Sequence, residues 1–259
     1  PNGENVLTGV NFGRGLSRSM ALPGIPVASV SDLETYGVLT GIKTQPRRDQ
    51  ALDAFAEMYA PAVGTGPVMD YLGQTGRDAL KGADIIKSAP EKYSSTIEYA
   101  DNAIAKCLRD VARVHLADLG TQVFYTAHGP FDTHFNQPPM HTKLWTEVSG
   151  AISDFFADLK EHDAGDNVIM MLFTEFGRRV KDNGTGTDHG AGGVAFVIGE
   201  RVNGGMYGTY PSLKPEDLSQ GDLAPSYDFR GFYSSVIDQW LGLDPVPIVG
   251  GKFEQMAFV

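Results

Sequence analysis

Three polar clusters in the middle of this chain carry side chains able to hold a cation or an anion. The first is His128-Gly-Pro-Phe-Asp132-Thr-His134, in which Asp132 and His134 lie two residues apart. An extended or turning backbone can aim such a pair at one point, whereas a helix would splay it. A carboxylate and an imidazole offer a hard oxygen and a borderline nitrogen, a donor set suited to Zn²⁺, Mn²⁺ or a related divalent ion. The same residues also read as a turn in which Asp132 accepts nearby backbone N–H groups and His134 faces water. The second cluster, Glu175 and Arg178, follows an apolar run. A carboxylate buried there without a cation or several donors would be costly, and a salt bridge or a helix N-terminus is the competing reading. Arg178 carries a planar fork suited to phosphate or sulfate, with pairing to Glu175 or another acid as its structural alternative. The third cluster is Asp188-His189. It follows the turn-forming stretch Asp182-Asn-Gly-Thr-Gly-Thr187 and precedes Gly190-Ala-Gly-Gly193, where main chain can approach a ligand closely. Its bland reading is a flexible hairpin whose Asp is a turn residue.

The elements that must position these residues are short and apolar. Residues 121–127 and 168–174 precede the first two clusters, and residues 193–199 follow the third. Apolar runs of this length bounded by Gly and Pro predict buried strands. Between the first two, Leu144, Val148, Ile152, Phe155, Phe156 and Leu159 recur at helical spacing, which predicts a helix over 140–162. Strand, helix, strand is the unit of a parallel sheet, and ligands of such sheets sit beyond the carboxyl ends of the strands. Asp132, His134 and Glu175 are expected there. His128 directly follows its strand and can reach the same place, while His141 and His162 are expected to face solvent.

Elsewhere the pattern predicts helices over 46–62, 68–88 and 96–119, with Gly73 and Gly76 leaving the continuity of the second open. The Ser94-Ser95-Thr96 group precedes the third and Gly120 stops it. His115, on that helix, reads as a surface or packing residue and Cys107 as a buried, inert thiol. Residues 1–44 read as loops with one strand near Ile25 to Val30, and residues 11–15 as a plain turn. Residues 201–208 suggest a hairpin-like turn, and Asp228 is expected to cap a last helix running through Phe232, Val236 and Trp240.

The totals narrow the class. At 259 residues the chain can form one large or two small domains. A net charge of -11 argues against a nucleic-acid partner. No apolar run reaches the length of a spanning helix. A single cysteine excludes an internal disulfide and a thiolate metal cluster. The chain begins at Pro1 without a methionine or a signal-peptide pattern, so a processed or partial form is expected.

Taken together, Gly-Pro-Phe-Asp132-Thr-His134-Phe-Asn-Gln137, Thr174-Glu175-Phe-Gly-Arg178-Arg179, Gly-Thr-Asp188-His189-Gly190 and Gly204-Gly-Met-Tyr-Gly208-Thr-Tyr-Pro211 resemble the blocks of the bacterial domain-of-unknown-function family 1501. That family is placed in the alkaline phosphatase and sulfatase superfamily. The resemblance implies an α/β fold with a doubly wound, mostly parallel sheet flanked by helices. It implies a single domain over 1–259 that lacks its first strand at the N-terminus, because no strand ending in an Asp with a Ser or Thr nucleophile is apparent there. It also implies hydrolysis of phosphate or sulfate esters at a site of divalent metal, Zn or Mn ahead of Mg or Ca. Asp132, His134, Glu175, Asp188 and His189 are the expected ligands, and Arg178 the expected anion clamp. The middle block departs from the superfamily pattern, since Phe176 stands where an imidazole would be expected. Asp188 then either compensates as a ligand or orients His189. The implied partner is a small ester or a sulfated or phosphorylated ligand, and the implied location is periplasmic or extracellular. A catalytically degenerate, exported member that binds a metal or extracellular ligand without turnover is the alternative. The oligomeric state is left open.

Overall fold

The computed structural model describes all residues except 1–4, 23, 24, 38–41, 43 and 63, and the side chains of 45, 59 and 62 also lie outside the description. Pro1 therefore lies outside the described residues. The fold is mixed α/β, and it divides into two compact units. One comprises Pro1–Gly129 with Thr146–His162, and the other Pro130–Trp145 with Asp163–Val259.

The first unit is built on a parallel sheet of three strands, β1 (Gly9–Phe12), β2 (Val27–Val30) and β3 (Val123–Thr126), in the order β2-β1-β3. Phe12 pairs in register with Val30 on one side and Thr126 on the other. All four β1 residues are buried, as the middle strand of a covered parallel sheet must be. The strand passes through the segment expected as a turn. The sequence hides it because Asn11 interrupts the apolar run, yet Asn11 is buried and donates from Nδ2 to the Gly15 carbonyl (2.8 Å) and the Ser29 hydroxyl (3.1 Å).

Helices follow as α1 (Gln45–Tyr59), α2 (Pro67–Ile86), α3 (Ser88–Lys92) and α4 (Ala103–Leu116). Gly73, Gly76 and Gly82 do not interrupt α2; they lie on its buried face. Helix α4 begins seven residues later than expected. Its cap is Asn102, whose side chain accepts the Ala105 N–H at 3.0 Å. Thr96, where the helix is expected to start, is instead engaged by Glu161. Helix α5 (Gln137–Glu161) buries Leu144, Val148, Ala151, Phe155 and Leu159, matching the spacing read from the sequence. Its residues up to Trp145 count with the second unit and the rest with the first.

The second unit holds two antiparallel pairs. β4 (Met170–Leu172) pairs with β7 (Phe196–Ile198), and β5 (Gly177–Asp182) pairs with β6 (Thr187–Gly190). The strands expected over 168–174 and 193–199 thus exist, but β4 is not joined to β3 in one parallel sheet; its hydrogen-bonded neighbour is β7. Asp188 and His189, expected in a loop, stand on strand β6. Helix α6 (Phe229–Ser235) is capped by Asp228, which accepts the Arg230 N–H at 2.9 Å, and a π-helical turn extends it to Trp240. α7 (Val246–Val249) ends at Gly250 in the left-handed region. Phe232, Val236 and Phe258 form a small core with Met171, Val197 and Trp240. No helix among the described residues is long and apolar enough to cross a membrane.

Candidate metal centre

The site lies within the second unit and is assembled by the loop 130–136 and the β5–β6 hairpin. Alternation along the loop sorts its side chains. Thr133 is buried, and its hydroxyl shares a hydrogen bond with His141 Nε2 at 2.9 Å near the start of α5. Its neighbours Asp132 and His134 project outward. Phe131 anchors the same loop through edge contacts with His141 (5.6 Å) and Trp145 (5.4 Å), and Trp145 in turn meets Phe196 of β7 at 5.9 Å. His141 is thus half-buried and partnered rather than facing solvent.

The hairpin is held against that loop by its tip. Gly184 has a φ of 104°, which suits the tight turn. Asn183 donates from Nδ2 to the His134 carbonyl at 3.0 Å, and the Thr185 carbonyl accepts the Gln137 N–H at 3.1 Å. Thr187 Oγ1 reaches Gln137 Oε1 at 2.9 Å. A Cβ on Gly186 would sit 2.9 Å from the His134 carbonyl oxygen, so the approach requires glycine. Gly177 faces Gly190 across the ladder, and a Cβ on Gly177 would collide with the Gly192 carbonyl. These glycines let 190–193 fold back so that Gly192 accepts the Arg178 N–H at 3.1 Å.

Three donor atoms converge as a result. Asp132 Oδ1 lies 3.0 Å from His134 Nε2 and 2.7 Å from His189 Nε2. The two rings lie 5.0 Å apart, and suitable ligand atoms of all three residues fall within 4.8 Å of one another. The far nitrogen of His134, Nδ1, is 3.1 Å from Asp188 Oδ1, and Asn183 also approaches that oxygen at 3.4 Å. The hydrogen bond from His189, and then that from His134, holds the Asp132 carboxyl below its ordinary range. His134, with Asn183 second, does the same for Asp188. Phe176 stacks flat on His189, centroids 3.9 Å apart and planes 13° from parallel. Where an imidazole was expected, an aromatic face instead fixes the orientation of the neighbouring one.

Arg178 sits behind this group. Nη1 donates to the Thr187 carbonyl at 2.7 Å, Nη2 donates to the Phe131 carbonyl, and the guanidinium lies 5.0 Å over the Phe176 ring. Both arms are engaged with main chain, from the residue before Asp132 and the residue before Asp188.

The family model for proteins of unknown function designated DUF1501 matches residues 44–245. The chain belongs to that family. No curated protein and no solved structure matches it.

The matched span of this DUF1501 protein contains the whole cluster. Of the ligands expected from sequence, Asp132, His134 and His189 come together, and Asp188 stands one bond behind, on His134 rather than on His189. Glu175 is exposed at a bend and is not among the converging residues. His128, in the other unit, pairs with Glu147 at 2.9 Å. No local pattern in the sequence marks the roles of Phe176 and Thr133. For Asn183 a signal existed in the Asp-Asn-Gly turn chemistry, but its target, a carbonyl 49 residues away, is a tertiary fact.

The donor set fits a divalent ion. Two imidazole nitrogens and one carboxylate oxygen are a common three-residue ligand set for zinc, and tetrahedral ligands at about 2.1 Å stand about 3.4 Å apart. The observed separations of 2.7 and 3.0 Å would open by about 0.7 and about 0.4 Å to meet that requirement. The side chains are 44 to 59% exposed, which leaves a further coordination position open to water or a ligand.

Proposed function

We propose that Asp132, His134 and His189 hold a divalent metal ion, Zn²⁺ or Mn²⁺ ahead of Mg²⁺ or Ca²⁺, and that the protein hydrolyses small phosphate or sulfate esters. The convergence of these three side chains from a loop and a strand 57 residues apart carries the reading. An ion bound there would polarise an ester oxygen and make bound water more acidic. The chain's own residues supply its placement. Asp188 accepts Nδ1–H of His134 and so leaves Nε2 facing Asp132, the usual arrangement of a carboxylate behind a ligating histidine. Phe176 fixes the His189 ring, and Arg178 ties the loop to β6. With both arms committed to carbonyls, Arg178 positions the loop rather than clamping an anionic ester. The doubly wound, alkaline phosphatase-like sheet and a location outside the cytoplasm belong to the same proposal, and the resemblance of the sequence blocks is their support.

One observation favours a second reading, a protein that binds metal without turnover. Glu175 stands apart from the cluster, so the converging residues suffice for one ion and not for two. The two are separated by assaying the purified protein for hydrolysis of aryl phosphates and aryl sulfates with Zn²⁺ or Mn²⁺ added, alongside its His189→Ala variant. Turnover that the variant lacks supports the hydrolase. Metal retained without turnover supports the binding protein, and neither metal nor turnover removes both.

A further inference from the structure

Between α3 and α4, residues 93–102 form no regular secondary structure. They cross the last turn of α5, within the first unit, and are fastened to it by side chains. Tyr93 and Tyr99 both donate their hydroxyls to Oδ2 of Asp158, at 2.6 and 2.8 Å. Glu161 accepts the Thr96 N–H at 3.0 Å and the Thr96 hydroxyl at 2.6 Å. His162 closes the set. Just past the end of α5, its Nδ1 lies 2.8 Å from the Asp158 carbonyl oxygen, one turn back, and its Nε2 lies 2.8 Å from the Ser94 carbonyl oxygen.

Carbonyl oxygens only accept, so two such contacts demand two N–H donors, and an imidazole has two only when it is protonated. A neutral ring would press a lone pair against one of the carbonyls at hydrogen-bond distance. The surroundings favour the cation. The Asp158 side chain is fully buried, with Oδ1 3.3 Å from His162 Nδ1 and making no hydrogen bond. Glu161 adds negative charge from the same helix. From residues 93–102, the Tyr93 ring stacks on His162 at 6.2 Å. Arg113 of α4 lies 5.5 Å over Tyr93 and is already paired with Asp110 and Glu34.

We propose that residues 93–102 are a pH-sensitive strap, held against the end of α5 by protonated His162 and loosened when that ring loses its proton. Deprotonation leaves a single N–H. The bond to Asp158 stays within one helical turn, so the contact that gives way is the one to Ser94 across the gap. The hydrogen bond to the Asp158 carbonyl, and then that to Ser94, raises the His162 pKa above its ordinary 6.5. A raised folded-state pKa means that the stabilisation is complete below about 6.5 and is lost as pH rises through the folded value. Glu161 sets the opposite limit. Its hydrogen bonds from Thr96 lower its pKa, so its contribution is complete above 4.5 and is lost as pH falls through the folded value. The strap is fastened between those limits.

The test uses the full chain with ¹⁵N-labelled histidine and a pH series from 6 to 9. His162 is expected to show the ¹⁵N shifts of an imidazolium at pH 6 and to titrate above 6.5. Over the same interval the amide protection factors of Thr96 and Ile97, corrected for intrinsic exchange, are expected to fall several-fold. His162→Gln keeps an amide donor but does not titrate, so its protection at those amides is expected to stay level. A neutral His162 at pH 6, or flat protection in the parent protein, overturns the proposal, as does an equal fall in the variant. Should the variant not fold, the titration of the parent decides alone.

Discussion

Arg178→Met removes the group that joins the Asp132 loop to strand β6 while keeping a long apolar stem over Phe176. Two hydrogen bonds from a charged donor are lost, to the Thr187 and Phe131 carbonyls. Bonds of that kind contribute about 1.5–3 kcal/mol each. The side chain is half-buried, so water recovers part of this, and a net loss of about 2–4 kcal/mol is expected. Loss of the cation over the Phe176 ring adds about 0.5–1 kcal/mol. The chain need not unfold for the site to suffer. With the loop untied, Asp132 and His189 no longer share a fixed separation, and residues that orient ligands typically change metal affinity by about 10–100-fold. Urea denaturation gives the first quantity, and Zn²⁺ titration against a chromogenic chelator the second. Arg179→Met is the control, one residue along and exposed, where a surface change is expected to stay within about 0.5 kcal/mol. If the two variants match each other in stability and in zinc affinity, the positioning role assigned to Arg178 is wrong.

Two further outcomes follow from the caps. Asn102→Ala should destabilise α4 by about 1 kcal/mol and Asn102→Ser by much less, read as a lower denaturation midpoint and faster amide exchange at Ala105. The hydrogen bond from Arg230 holds Asp228 at about 2, below its ordinary 3.8. That depressed value makes its contribution complete above 3.8 and lost as pH falls through about 2. Asp228→Asn retains a capping oxygen without the charge, so an acid titration of stability should lose its dependence in that window; an unchanged acid limb would assign it to other carboxylates.

What the sequence discloses here is what local periodicity can carry. Helix α5 and the apolar face of α4 are legible because their buried residues repeat at helical spacing, and the Asp228 cap because its chemistry is local. β3, β4 and β7 are legible as strands but their partners are not, since pairing is decided by segments far away in sequence. So β4 meets β7 antiparallel where a parallel crossover was expected. Ser94 to Thr96 carry the residue types of a helix start, and only the folded chain brings Glu161 to Thr96. β5 is nearly all polar, Gly-Arg-Arg-Val-Lys-Asp, and no hydrophobic pattern marks it. The site is legible as residue types, in that Asp132, His134 and His189 carry metal-ligating donors. That Arg178 faces carbonyls, that Asp188 serves His134 and that Glu175 stands aside are consequences of the hairpin, which no local pattern encodes.

The proposed centre holds one ion on three side chains. Protein stripped with a chelator and titrated with Zn²⁺ by calorimetry, followed in parallel through its histidine ¹⁵N resonances, tests it most directly. The account predicts one ion bound per chain, shifts confined chiefly to His134 and His189, and loss of binding in Asp132→Ala and His189→Ala. Absence of binding, or binding that survives both substitutions with other histidines shifting instead, would contradict it.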